Sequence, residues 1–177
     1  LDVMCQITES KPLSVSAIGV RLTDKIPDDN YNYGQLQIRF EDGSVGWYEA
    51  GWGPMISETA FFVKDVIGPK GSVSIVSDDD TFVKDSDNLE NHTKNNCLKI
   101  HSSELDSNQN FIAPNRKIVY EEDPSHQDLC DYEQEYFYNS ITEDIDLKSH
   151  MEDAFKSLQI ALACDEAVKK SITVYLD

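Results

Sequence analysis

The sequence predicts an α+β domain. Three patterns carry that expectation: alternating strand-like segments through the first half, two helical segments with start signals near the end, and a β-branched run that closes the chain. Its 177 residues supply one domain's worth of core, read as a single domain over residues 1–177 with a polar insertion at 77–115. Eight Tyr, seven Phe and two Trp within a 40% hydrophobic composition argue against a disordered tail, which lacks the apolar surface to offset ordering entropy.

The first residues, Leu1 to Ile7, read as the second half of a short amphipathic helix, so the sequence is expected to be a piece of a longer chain. Ser14 to Leu22 is rich in β-branched and aliphatic residues and predicts a strand. From Gln35 to Glu41, Leu36, Ile38 and Phe40 alternate with Gln35, Gln37 and Arg39. Asp42-Gly43 then signals a type I′ hairpin turn, and Ser44 to Trp52 returns. Phe61 to Ile67 and Ser72 to Val76 predict a second hairpin around Gly68-Pro69-Lys70-Gly71. Between Ser77 and Asn115 acidic and polar residues predominate, with strand-like pieces at Leu98 to Ile100 and, just beyond, Lys117 to Tyr120, so loops and edge strands are expected there.

Two helices follow. Ser125 and Asp128 approximate a capping box, ahead of Leu129, Tyr132, Tyr136, Phe137 and Ile141 at helical spacing. Ser149 and Glu152 form an S-x-x-E box opening a helix to about Lys170. Met151, Ala154, Phe155, Leu158, Ala161, Leu162 and Val168 are its expected core stripe. Ile172 to Leu176 closes the chain as a strand.

A formal net charge of −18, from 33 acidic against 15 basic residues, makes nucleic acid and anionic membranes poor partners. No run of eighteen apolar residues occurs. Cys5, Cys97, Cys130 and Cys164 show no C-x-x-C pair, which points to a reducing, cytoplasmic setting. Neither G-x-G-x-x-G nor the P-loop pattern is present, so no nucleotide is expected to bind these residues by those routes. His126 and Cys130 share a helix face, but a third ligand is not identifiable and no metal is expected. The acidic run lacks a calcium-loop pattern and reads as solvated surface. His150 sits in a first helical turn, where the dipole favours the neutral imidazole; it can meet a substrate hydroxyl or equally face solvent. Trp47, Tyr48 and Trp52 fall on alternate strand faces, one for core and the other for a ligand or partner.

Ser10-Lys11-Pro12-Leu13-Ser14-Val15-Ser16-Ala17, the hairpin Phe40 to Gly46, Gly68 to Ser72, and above all the closing helices Leu129 to Phe137 and Asp153 to Ala167 resemble the C-terminal domain of the Gfo/Idh/MocA family of NAD(P)-dependent oxidoreductases. The resemblance spans nearly the whole chain and is weakest over Ser77 to Asn115. It implies an open, mostly antiparallel mixed sheet with helices packed on one face and a dimer interface on the other. It also implies a longer parent whose N-terminal Rossmann domain binds NAD or NADP, with no cofactor in this part. The family's catalytic Lys lies in an upstream E-K-P motif; Lys11-Pro12 imitates it but follows Asp2. Its D-x-x-x-H-x-x-D motif is matched at the last position by Asp2. The expectation is therefore a substrate-binding and dimerisation part of a sugar- or cyclitol-type dehydrogenase, silent alone, with Asp2, Trp52 and His150 beside a sugar or polyol substrate. The alternative is a non-catalytic binding or oligomerisation module on the same fold.

Overall fold

The computed structural model describes residues 1–51, 64–76, 97–121 and 124–176. They divide into two compact units, Leu1–Ile56 with Ser140–Asp177, and Ser57–Asn139. Every described ladder is antiparallel, and the α+β expectation holds.

In the first unit, helix α1 (Asp2–Thr8) leads into β1 (Pro12–Val20), β2 (Tyr33–Phe40) and β3 (Val45–Gly51). Helix α3 (Lys148–Lys170) and strand β8 (Thr173–Tyr175) complete it, giving a four-stranded sheet in the order β3-β2-β1-β8. The alternation in β2 is realised: Leu36, Ile38 and Phe40 are buried, and Val15 pairs with Ile38 across the ladder. The hairpin after Phe40 is not the expected type I′ turn, which needs a positive φ at two residues. Gly43 N–H donates to the Phe40 carbonyl and Gly43 alone takes a positive φ, 88°, so the loop is a turn closed by one left-handed glycine. The Asp42 carboxylate accepts from both the N–H and the hydroxyl of Ser44.

The second unit carries β4 (Lys64–Gly68), β5 (Gly71–Ile75), β6 (Cys97–Ser102) and β7 (Arg116–Val119) in sequential order. Gly68 pairs with Gly71 around Pro69-Lys70, as the turn residues predict. The expected edge piece at Leu98 to Ile100 is instead an interior strand, with Cys97 fully buried at its start. Helix α2 (His126–Thr142), within which the boundary between units falls, begins as expected: Ser125 N–H and hydroxyl donate to Asp128, and Ser125 Oγ accepts from the Asp128 N–H.

Helix α3 departs from its reading in two ways. Leu147 is its N-cap with no side-chain cap, and the Asp146 carboxylate accepts the Lys148 N–H in place of the Ser149–Glu152 box. The buried stripe is Ile160, Ala163 and Ala167, with Cys164 partly buried beside it. Of the expected core stripe Val168 does lie against Gly19 of β1, but the rest faces outward, with Met151, Phe155, Leu158 and Leu162 exposed at 68%, 61%, 54% and 63%. The helix is apolar on two opposite faces, and the sheet takes the one with small residues because alanine allows close approach. The Leu129–Ile141 stripe of α2 is exposed as well.

Ile160 joins Cys5, Val15, Leu36, Ile38, Phe40 and Ala163 in one core cluster. Ile160→Ala is expected to cost about 2–5 kcal/mol, read as a lowered urea midpoint, because a fully buried branched side chain leaves a cavity.

Candidate functional site

Helix α1 is held by its buried Cys5, with Leu1 and Met4 packed against the same core. Gly46 on β3 makes room for Met4: a Cβ there would lie 2.9 Å from the Met4 Sδ. This seating brings the start of α1 against the first half of α3. Asp2 Oδ2 accepts from Gln6 Nε2 at 2.9 Å, and Asp2 Oδ1 accepts from Ser157 Oγ at 3.5 Å. Lys156 is ion-paired to Asp153 at 3.1 Å beside them, which pushes the lysine up from its ordinary value. Burial pushes the Cys5 thiol up, so it serves as packing.

His150 lies seven residues before Ser157, on the same side of α3 and about 10 Å along its axis. It is exposed, and Asp2 reaches Ser157. Trp52 lies outside the described residues. Of the expected trio, Asp2 meets Gln6 and Ser157. Gln6 and Ser157 were missed. The i,i+4 spacing of Asp2 and Gln6 on a short helix could have revealed the first; Ser157 depends on a contact 155 residues away.

Trp47 and Tyr48 sit on opposite faces of β3 and both are half exposed. Tyr48 lines an apolar cleft of about 170 Å³ with Tyr31, Leu36, Ala50 and Cys164. A wider cleft of about 450 Å³ adjoins it at Tyr31, where Arg21 is already engaged with Asp24, Asp28 and the Ile26 carbonyl. On the outer sheet face the Tyr33 hydroxyl donates to Glu49 at 2.5 Å and accepts from Gln35 at 2.9 Å. On α2, His126 Nε2 lies 3.7 Å from Cys130 Sγ. Among the described residues no three metal-binding side chains gather.

A dinucleotide needs a glycine turn between a strand and a helix. The described strand-to-helix passage, from β7 to α2, contains no glycine and is not such a turn.

An antiparallel sheet backed by the helix that precedes its closing strand is an α+β arrangement, and the comparisons give the family. Residues 1–176 match the family model for the C-terminal alpha/beta domain of Gfo/Idh/MocA oxidoreductases, and the chain belongs to that family. Among solved structures it is similar to the aldose-aldose oxidoreductase of Caulobacter crescentus, complexed with glycerol, at 16% identity and a TM-score of 0.67. It is also similar to a presumed oxidoreductase of Thermotoga maritima, at 15% identity and a TM-score of 0.64. Both likenesses cover 99% of this chain and 44% of the other, so the chain spans less than half of those proteins. No curated protein matches this sequence.

Donation to Glu49 holds the Tyr33 phenol above its ordinary value of 10.0, since ionisation would lose the bond. The bond's contribution to stability is therefore present at neutral pH and lost as pH rises from 10.0 through the raised value. Glu49→Gln is expected to return the Tyr33 titration toward 10.0 when tyrosinate absorbance is followed.

Proposed function

We propose that this chain is the substrate-binding and dimerisation part of an NAD(P)-dependent oxidoreductase acting on the CH–OH group of a sugar, polyol or cyclitol. The family match supports the oxidoreductase class. The observation that carries the substrate class is the Asp2–Gln6–Ser157 network. A carboxylate flanked by an amide and a hydroxyl can accept from one substrate hydroxyl while its neighbours exchange hydrogen bonds with the next, which suits vicinal hydroxyls. The glycerol complex of the Caulobacter structure is in keeping with a polyol. The nicotinamide, held by an N-terminal domain outside these residues, would exchange hydride with the carbon that the network orients. In a reducing cytoplasm, the four cysteines would remain free, as they are here.

Position 6 bears on how the proton moves. The D-x-x-x-H-x-x-D spacing also fits from Asp2 as its first residue, with Gln6 at the histidine position and Glu9 at the last. An amide has no titratable proton near neutrality, so Gln6 can orient a hydroxyl but cannot relay its proton. The isolated chain is accordingly silent in this reading. The same residue favours the second reading, a non-catalytic binding module.

The outer face of the first sheet is the proposed dimer surface. Ile18, Val20, Val45, Trp47 and Tyr175 are exposed there, around the Tyr33–Glu49 bond. An amphipathic sheet face of this kind meets its own copy with matched polar and apolar patches.

The complete reading frame should reduce NAD or NADP with members of a polyol and aldose panel. Asp2→Asn should lower kcat/KM about ten- to a hundredfold, the worth of one charged hydrogen bond. Absence of turnover with every substrate and both cofactors, alongside polyol binding in calorimetry, would establish the non-catalytic module instead. Trp47→Glu should lower the mass measured by light scattering, whereas an unchanged mass would exclude the sheet face as the interface.

A further inference from the structure

The outer face of α3 is a second apolar surface, opposite the face packed on the sheet. Met151, Phe155, Leu158 and Leu162 recur at intervals of four, three and four residues, the spacing of a coiled-coil seam, and all four are more than half exposed. We propose that this seam pairs with the same helix of a second copy, antiparallel, about a twofold axis between Lys156 and Ser157.

The choice of a second copy, and of its direction, comes from the charges that flank the seam. Along one flank lie Lys148, Glu152, Gln159 and Glu166; along the other lie His150, Ala154, Ala161 and Asp165. An antiparallel pairing puts Met151 against the partner's Leu162 and Phe155 against the partner's Leu158. It brings Lys148 toward the partner's Glu166, His150 toward the partner's Asp165, and Glu152 toward the partner's Gln159. Ala154 and Ala161 fall at the centre of the second flank, where their small side chains let the backbones approach. Twofold symmetry repeats each contact. A parallel pairing brings Asp165 and Glu166 of the two copies together and loses that match. The exposed ion pairs Lys148–Glu152, Asp165–Lys169 and Glu166–Lys170 along the helix are of the solvated kind that rearranges at little cost.

This contact is separate from the sheet-face dimer, because α3 covers the inner face of the sheet and its seam points away from it. Light scattering on the Trp47→Glu protein therefore isolates it. The expected mass is twice the 20.0 kDa of one chain, falling to one chain when Leu158→Glu is added. Leu158→Glu alone should also lower the wild-type mass, whatever the sheet face does. Because Leu158 is outside the core, circular dichroism should show the fold retained. Combining Met151→Cys with Leu162→Cys should give a disulfide-linked dimer under mild oxidation, and Met151→Cys alone should not. A one-chain mass for Trp47→Glu, masses unmoved by Leu158→Glu, or equal cross-linking by Met151→Cys alone would overturn the pairing.

Discussion

The architecture of the first unit rests on the contact between β1 and α3. Strand β1 is hydrogen-bonded on both sides, to β2 and to β8, and its Val15 is wholly buried under Ile160 and its neighbours. Burial of these branched side chains is worth roughly 1.5–3 kcal/mol each. Alanines at 163 and 167 keep the helix low on the sheet, and the chain then turns at Ser171, left-handed with φ 54°, to add β8 beside β1. Helix α1 reaches its place only because that arrangement exists: Cys5 fills the same core, and Asp2 finds Ser157 on the helix already docked. The candidate site is thus a by-product of the sheet–helix contact.

Local patterns were legible to different depths. The strict alternation of Leu36, Ile38 and Phe40 fixed both a strand and its buried face, since period two leaves one solution. The Ser125–Asp128 box was legible because both partners lie within one turn. Helix α3 was legible as a helix but misread in orientation. Its larger side chains suggested the core, yet a face of Ile160, Ala163 and Ala167 is less hydrophobic in sum and better shaped for a sheet. Hydrophobicity alone cannot rank two apolar faces of one helix. In the site, Asp2 was accessible through its motif, whereas Ser157 carries no local signal. The placement of Trp52 falls outside the described residues.

Helix α3 consequently serves three surfaces at once. Ile160 and Ala163 hold the sheet, Ser157 touches Asp2, and Leu158, one residue on, points into the exposed seam. Residues 157 and 158 are separated by about 100° around the axis, so a rigid helix carries any displacement of one to the other. If the seam closes on a second copy, the rotation of α3 about its axis is fixed from both sides, by the core and by the partner. The Asp2–Ser157 distance of 3.5 Å, long for a hydroxyl donor to a carboxylate, depends on that rotation. Assembly would then set the geometry of the hydroxyl-binding network without contributing a residue to it. The chain's acidity works in the same direction: with a net charge of −18, any self-association would be confined to the surfaces where apolar residues are continuous and flanking charges alternate.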